Sequence, residues 1–214
     1  MQLLVTNERT VVVRAPLRTT EREIREMVEE RGEWVLQRLA VVAATPPKPP
    51  RAFVSGEVLL VDGLEVRLAV VRITARKRPT VRPQGGELVV TCQSTVDAAH
   101  IAVAVMNWYG ERTLAALGPA LAVWEPLVGV KPREVIVRNQ KRRWGSCASN
   151  GVIRLNWRLS MLPPRLLEYV VVHELAHMKQ ANHSPAFWAE VERAMADSAA
   201  RRAELRAYEK RIDW

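Results

Sequence analysis

The chain has few of the features that build cross-linked, secreted or membrane-spanning proteins. Its 214 residues include only two cysteines, Cys92 and Cys147, which are too few for a disulfide framework. No apolar stretch is long enough to span a bilayer, and the first residues lack the basic start and apolar run of a signal peptide. We therefore expect a cytoplasmic protein that has no membrane partner.

Negative charge is also in short supply. The sequence has 32 Lys and Arg residues against 23 Asp and Glu residues, which gives a formal net charge of +9. Such an excess attracts polyanions and makes nucleic acid a candidate partner, although arginines scattered over a soluble protein give the same total. The hydrophobic fraction of 48% is typical of a globular protein with a real core. The sequence leaves the oligomeric state open.

Histidine is scarce but clustered. Three of the four histidines lie between residues 173 and 183, and residues 173–177 read HELAH. On a helix, His173 and His177 lie one turn apart on the same face, so that both imidazoles can bind one metal ion. Glu174 then lies beside the ion and can take a proton from its water ligand. A single histidine on an apolar helix is usually a packed core residue, but an HExxH pattern arises by chance in only about one chain of this size in a few hundred.

A third ligand has to come from beyond this helix. His183 lies in a segment that ends one helix and begins the next, since Asn182 suits a helix end, Ser184 suits a cap and Pro185 suits a first turn. A tight turn there brings His183 back to the other two histidines, and three histidines with one open position are the ligand set of a catalytic zinc ion. A glutamate of the following helices is the alternative ligand, and the contenders are Glu190, Glu192 and Glu204.

Several motifs around the histidines resemble those of one protein family. They are HELAH at 173–177, NHSP at 182–185, RWGSC at 143–147 and LNWRL at 155–159. Together they resemble the YgjP-like metallopeptidases, which are relatives of the SprT-like and WLM zinc peptidases. The resemblance implies a zincin-type core with one Zn²⁺, in which His173, His177 and His183 are the ligands and Glu174 is the general base.

The remaining pattern predicts an α+β fold. The pattern gives a mainly antiparallel sheet of β-hairpins and helices, with turns at Asp62-Gly63 and Gly85-Gly86. The zincin-like core that the resemblance implies, with its HExxH helix, follows this sheet. A helix from Val96 to Leu117 should end at Gly118-Pro119, and the proline-rich segment 45–50 should form a stiff spacer. We predict an N-terminal region at 1–130 and a metallopeptidase core at 131–214, packed as one compact unit.

A predicted hairpin directly before the metal-binding helix suggests how substrate binds. Its strand from Val152 to Asn156 is the candidate for pairing with an extended peptide, with Asn156 or Arg158 in contact with the substrate. Arg143 or Arg158 is the candidate for stabilising the oxyanion. The alternative is that this hairpin only packs under the helix.

These patterns predict a zinc-dependent metallopeptidase that hydrolyses peptide bonds with metal-activated water. Two other functions stay open on sequence alone. One is a protease recruited to nucleic acid, as in the SprT-like and WLM proteins, and the other is a metal-binding module without catalysis.

Overall fold

The computed structural model describes residues 1–6, 10–44, 51–75, 78–140 and 143–212. Contacts divide the chain into two compact units, Met1–Pro50 and Arg51–Trp214. The predicted proline-rich spacer at 45–50 lies outside the described residues, and the predicted boundary between residues 130 and 131 stays a prediction.

The first unit combines a hairpin with two helices. Strands β1 (Gln2–Val5) and β2 (Val11–Arg14) pair antiparallel, and helices α1 (Glu21–Glu30) and α2 (Gly32–Ala44) follow. The Thr20 side chain accepts a hydrogen bond from the Glu23 backbone N–H, and the Glu23 carboxylate accepts one from the Thr20 backbone N–H. This reciprocal cap explains why α1 begins where it does.

The second unit opens with a four-stranded sheet. Its strands are β3 (Val58–Val61), β4 (Leu64–Ile73), β5 (Thr80–Gln84) and β6 (Glu87–Gln93), in the order β3-β4-β6-β5. The β3–β4 and β5–β6 pairs are antiparallel hairpins, as predicted, but β4 and β6 pair parallel to each other. The sheet is therefore mainly antiparallel, as predicted, with one parallel pairing at its centre, where β6 lies between β4 and β5.

Helix α3 (Ala98–Val128) is much longer than predicted, because Gly118 and Pro119 do not end it. Packing accounts for the difference, since Leu117 and Ala120 are buried on either side of the pair. A proline inside a helix costs about 3 kcal/mol. Gly118 has no Cβ to clash with the proline ring, which limits the strain on the helix at that point.

A second sheet of three strands lies immediately before the HExxH segment in sequence. Strands β7 (Glu134–Arg138), β8 (Gly145–Cys147) and β9 (Val152–Asn156) lie in the order β7-β9-β8. The predicted β8–β9 hairpin forms, but β9 is the central strand and pairs on both sides. The prediction that β9 pairs with substrate is therefore wrong, because its backbone hydrogen bonds are already used. Strand β8 is an edge of this sheet.

Three helices follow a short 3₁₀ helix at Trp157–Met161. They are α4 (Pro164–Ala176), α5 (Pro185–Ala194) and α6 (Ser198–Glu209). Helix α4 is the centre of the larger hydrophobic core, with nine of its thirteen residues buried. The fold class is α+β, as predicted. Among the helices of the described residues, none is both long enough and apolar enough to cross a bilayer.

Candidate metal centre

Helix α4 positions the first half of the site. Pro164 is its first residue, and its apolar side chains anchor it in the core as far as Ala176. His173 is in the last turn, and His177 is the residue that ends the helix. Since α4 is fixed along its whole length, the backbone of these two histidines is held rigidly.

The turn between α4 and α5 positions the second half. Ser184 caps α5 through its hydroxyl group, which accepts a hydrogen bond from the Phe187 backbone N–H at 3.4 Å. The Asn182 side-chain oxygen accepts one from the Ser184 backbone N–H at 3.3 Å. These local bonds reverse the chain, and His183 thereby faces the histidines of α4.

The three imidazole rings converge. Their centroids are 4.8 Å apart for His173 and His177, 5.0 Å for His173 and His183, and 4.7 Å for His177 and His183. One ligand nitrogen from each ring lies within 4.8 Å of the other two. The Nε2 atoms of His173 and His183 are 3.1 Å apart. This distance is close to the separation of about 3.3 Å between two nitrogens bound tetrahedrally to one zinc ion. The donor set and its spacing therefore fit a zinc ion.

The outer ring nitrogens show how the imidazoles are oriented. His177 Nδ1 donates a hydrogen bond to the Gln180 carbonyl oxygen at 3.0 Å, which leaves its Nε2 as the free lone pair. His173 Nδ1 is buried and has no hydrogen-bond partner among the residues described. Burial, with smaller contributions from His177 and His183, lowers the pKa of His173 to about 3. The ring is therefore neutral at physiological pH, which is the form that binds metals.

Aromatic side chains from α5 support all three rings. Phe187 is fully buried and stacks on His177 at 4.4 Å, and its centroid is 4.9 Å from those of both His173 and His183. Trp188 stacks on His183 at 5.6 Å with an interplanar angle of 23°. His183 is the most exposed of the three histidines, so the Trp188 ring is a main restraint on its orientation.

Glu174 lies beside the histidines and is only 4% exposed. Its carboxylate packs against β8 at Gly145, where an added Cβ would lie 2.5 Å from Glu174 Oε1. Burial raises the pKa of Glu174 to about 7, and the positive charge of Arg143 opposes that rise. Glu174 Oε2 has no hydrogen-bond partner among the described residues, so the carboxylate keeps an acceptor for another molecule.

A cavity of about 840 Å³ contains the site. Arg143, His173, Glu174, His177 and His183 all line it. This volume is within the usual range of ligand pockets, so the site has room for a peptide segment.

Two further residues that we predicted to contact substrate are not in the cavity lining. Asn156 Nδ2 donates hydrogen bonds to the carbonyl oxygens of Gln140 (2.6 Å) and Arg143 (2.9 Å). The Arg158 guanidinium donates one to Asn139 Oδ1 at 3.0 Å. Both side chains are buried and bind residues 139, 140 and 143, so their contact with substrate stays a prediction.

The alternative glutamate ligands are engaged elsewhere or lie outside the cluster. Glu190 accepts hydrogen bonds from Lys179 at 3.0 Å and from Arg193 at 2.9 Å. Glu204 accepts one from Arg165 Nε at 3.0 Å, and Glu192 is exposed on α5. Over the described ranges, the metal-ligand cluster consists of the three histidines.

Comparison with known proteins identifies the family. The family model described as YgjP-like, metallopeptidase domain, matches residues 1–208. The chain belongs to the YgjP-like metallopeptidase family. Membership implies peptidase chemistry and a metal ion. Among solved structures, the chain is similar to the crystal structure of the metallopeptidase zymogen of Pyrococcus abyssi abylysin, with 27% identity over 46% of this chain and 93% of that chain and a TM-score of 0.38. No curated protein matches the chain.

Sequence reasoning missed two parts of this family member's site. In the sequence Gly145 is only one residue of the RWGSC motif, yet the absence of its side chain lets the Glu174 carboxylate lie against β8. Arg202 belongs to no motif in the sequence, yet its guanidinium carbon lies 4.0 Å from the Trp188 ring centroid and its side chain lines the cavity. No local pattern marks either residue, because both contacts join segments distant in sequence.

Proposed function

We propose that this chain is a zinc-dependent metallopeptidase that hydrolyses peptide bonds. His173, His177 and His183 would hold one zinc ion, and Glu174 is the general base. The observation that carries the proposal is the convergence of three imidazoles beside one buried carboxylate that keeps an unpartnered oxygen. The match to a metallopeptidase family supports it.

The chemistry divides between the ion and the protein. Zinc, when bound, supplies Lewis acidity that lowers the pKa of water and polarises the scissile carbonyl. Glu174 takes the proton from the attacking water and then delivers it to the leaving amine nitrogen. Phe187 and the α4 core keep the histidines fixed while this happens, so the reacting groups need little rearrangement.

The substrate strand is proposed to add to β8. Within the described ranges, strand β8 pairs with β9 on one side only, and its three residues line the cavity beside Glu174. An extended peptide can form main-chain hydrogen bonds with such an edge. Arg143, which lies just before β8 and lines the cavity, is the proposed contact for the developing oxyanion.

The decisive experiment replaces Glu174 with Gln. The variant should retain one zinc per chain, measured by elemental analysis, because Glu174 is not a ligand. Its hydrolysis of a peptide library should fall by about 10²- to 10⁴-fold, the usual contribution of a general base. Glu192→Gln is the matched control, since that carboxylate is exposed on α5 and is not part of the cavity lining.

Two results would contradict the proposal. Turnover that persists in the Glu174→Gln variant at the wild-type rate would remove Glu174 from the mechanism. Wild-type protein that binds zinc but cleaves no peptide in the library would instead favour a metal-binding module without catalysis.

A further inference from the structure

Positive charge surrounds the cavity. Four basic side chains line it against two acidic ones, namely Arg143, Lys179, Arg202 and Arg206 against Glu174 and Glu209. Two of these six already have polar partners in the protein. Lys179 donates to Glu190 at 3.0 Å, and Glu209 accepts a hydrogen bond from the Trp144 indole N–H at 2.9 Å.

The arginines of helix α6 differ in whether they form ion pairs with carboxylates. Arg201 forms ion pairs with Asp197 at 2.8 Å and with Glu168 at 3.0 Å, so its charge is balanced within the protein. Arg202 and Arg206 are one turn apart and line the cavity. Neither has a carboxylate partner among the residues that the structure describes. Among the described residues, the helix thus places two guanidinium groups without a carboxylate partner in the lining of the cavity.

Stacking fixes the position of one of these groups. The Arg202 guanidinium lies over the Trp188 ring at 4.0 Å, and Trp188 stacks in turn on His183. A guanidinium that stacks through its face leaves the N–H donors at its edge available, and these donors can bind both oxygens of a carboxylate. Arg202 is half-buried, so its charge is screened less than that of a free surface arginine.

We propose that this cavity selects peptides that carry a carboxylate close to the scissile bond, and that Arg202 and Arg206 bind that carboxylate. The inference rests on the proposed peptidase function and names its substrate class. The carboxylate belongs to an Asp or Glu side chain or to the C-terminus of the peptide. A peptide is favoured over a nucleic acid because Arg202 and Arg206 line the same cavity as β8, the edge strand of its sheet, which suits an extended chain.

The test compares paired peptides that differ only in charge. Each acidic peptide has a partner with Glu replaced by Gln, and each is made with a free and with an amidated C-terminus. For the zinc-loaded wild-type protein we expect kcat/KM to be about 10-fold higher for the preferred acidic form, and the preference to weaken with added salt. The comparison of Glu with Gln peptides tests a side-chain carboxylate, and the comparison of free with amidated peptides tests the C-terminal carboxylate.

The variants are Arg206→Gln and the double variant R202Q/R206Q. The ratio of acidic to neutral kcat/KM should fall partway in the first and approach one in the second. Arg82→Gln is the matched control, because it removes one positive charge from an exposed position on β5 and should keep the wild-type ratio. Since Arg206 is exposed, its single variant should fold even if the double variant does not.

Failure of this inference is separable from failure of the proposed function. If the wild-type protein cleaves acidic and neutral peptides equally, the inference is wrong while the peptidase function stands. If no peptide is cleaved, binding of labelled acidic peptides to the zinc-loaded Glu174→Gln variant still tests the arginine pair, and equal affinity for neutral peptides overturns it. Loss of binding to single-stranded DNA in R202Q/R206Q, without any peptide preference in the wild type, would instead assign the pair to a phosphate backbone.

Discussion

Replacing Gly145 with Ala should separate the position of the general base from metal binding. An added Cβ would lie 2.5 Å from Glu174 Oε1, 2.7 Å from its Cγ and 2.8 Å from its Cδ. Non-bonded heavy atoms favour separations of about 3.5 Å, so the Glu174 side chain or the β8 backbone must move by about 1 Å. A displacement of that size in a catalytic group lowers the rate by about 100-fold.

The change should have little effect on the fold or on the metal ligands. Overpacking in a core costs about 1–3 kcal/mol of unfolding free energy, and here the Glu174 carboxylate can relieve part of that strain by moving into the cavity. We therefore expect Gly145→Ala to bind zinc with wild-type affinity and to unfold cooperatively, while kcat/KM falls by about 100-fold.

The assay pairs steady-state peptide hydrolysis with zinc analysis and urea unfolding. Gly110→Ala is the matched control, because its new Cβ would meet only the Trp157 Cβ, at 4.0 Å, in the middle of α3. It should retain full activity and gain about 0.5–1 kcal/mol, as alanine does over glycine in helices. A 1 Å displacement of Glu174 is expected to lower kcat/KM by about 100-fold. If the kcat/KM of Gly145→Ala stays within about threefold of the wild-type value, the placement of Glu174 against Gly145 is refuted.

Two further substitutions examine the surroundings of the site. Trp188→Ala removes the ring stacked on His183 and should weaken zinc binding by about 10-fold, as changes around metal ligands typically do. Competition with a chromophoric chelator measures the zinc affinity. An unchanged affinity would show that the stacking does not orient His183. Asn156→Ala removes the amide that donates hydrogen bonds to the carbonyl oxygens of Gln140 and Arg143 and should lower the unfolding free energy by about 1–3 kcal/mol. Urea denaturation tests that value, and a loss below about 0.5 kcal/mol would mean that water replaces the amide.

The parts of the site that follow from local rules were predictable. The spacing of His173 and His177 depends only on the helical period, and the turn at Asn182–Pro185 depends on capping by Ser184 and on a proline in the first turn. The hairpin turns at Asp62-Gly63 and Gly85-Gly86 are local in the same sense. In each case a few neighbouring residues determine the backbone conformation, so one sequence suffices to find them.

The parts that depend on tertiary packing were not predictable. Pro119 disfavours a helix by its own chemistry, and only the burial of Leu117 and Ala120 on one face of α3 explains why the helix continues. Likewise, nothing in the residues of β9 shows that β7 pairs with it in parallel. Strand order follows from which surfaces the helices cover, and a pattern read along one segment does not contain that information.

The site combines a rigid part and a part completed by local contacts, and metal removal should distinguish them. His173 is on a helix whose neighbouring residues Val170, Val171 and Val172 are buried in the core. His183 is in an exposed turn held by its cap and by the Trp188 ring. Because the core of α4 contains no metal ligand other than His173, we expect chelator-treated protein to keep its helical circular dichroism.

Stabilisation by the metal should therefore appear mainly in the turn. Free zinc at 100 times its Kd should add about 2.7 kcal/mol to the unfolding free energy. Hydrogen exchange should show faster exchange at 178–188 after zinc removal, with little change in 164–176. If zinc removal speeds hydrogen exchange equally in 164–176 and 178–188, this expectation is contradicted. That result would mean that the metal, and not the hydrophobic core, holds α4 in place. Local opening confined to the turn would explain how the protein can exist folded before it acquires its metal.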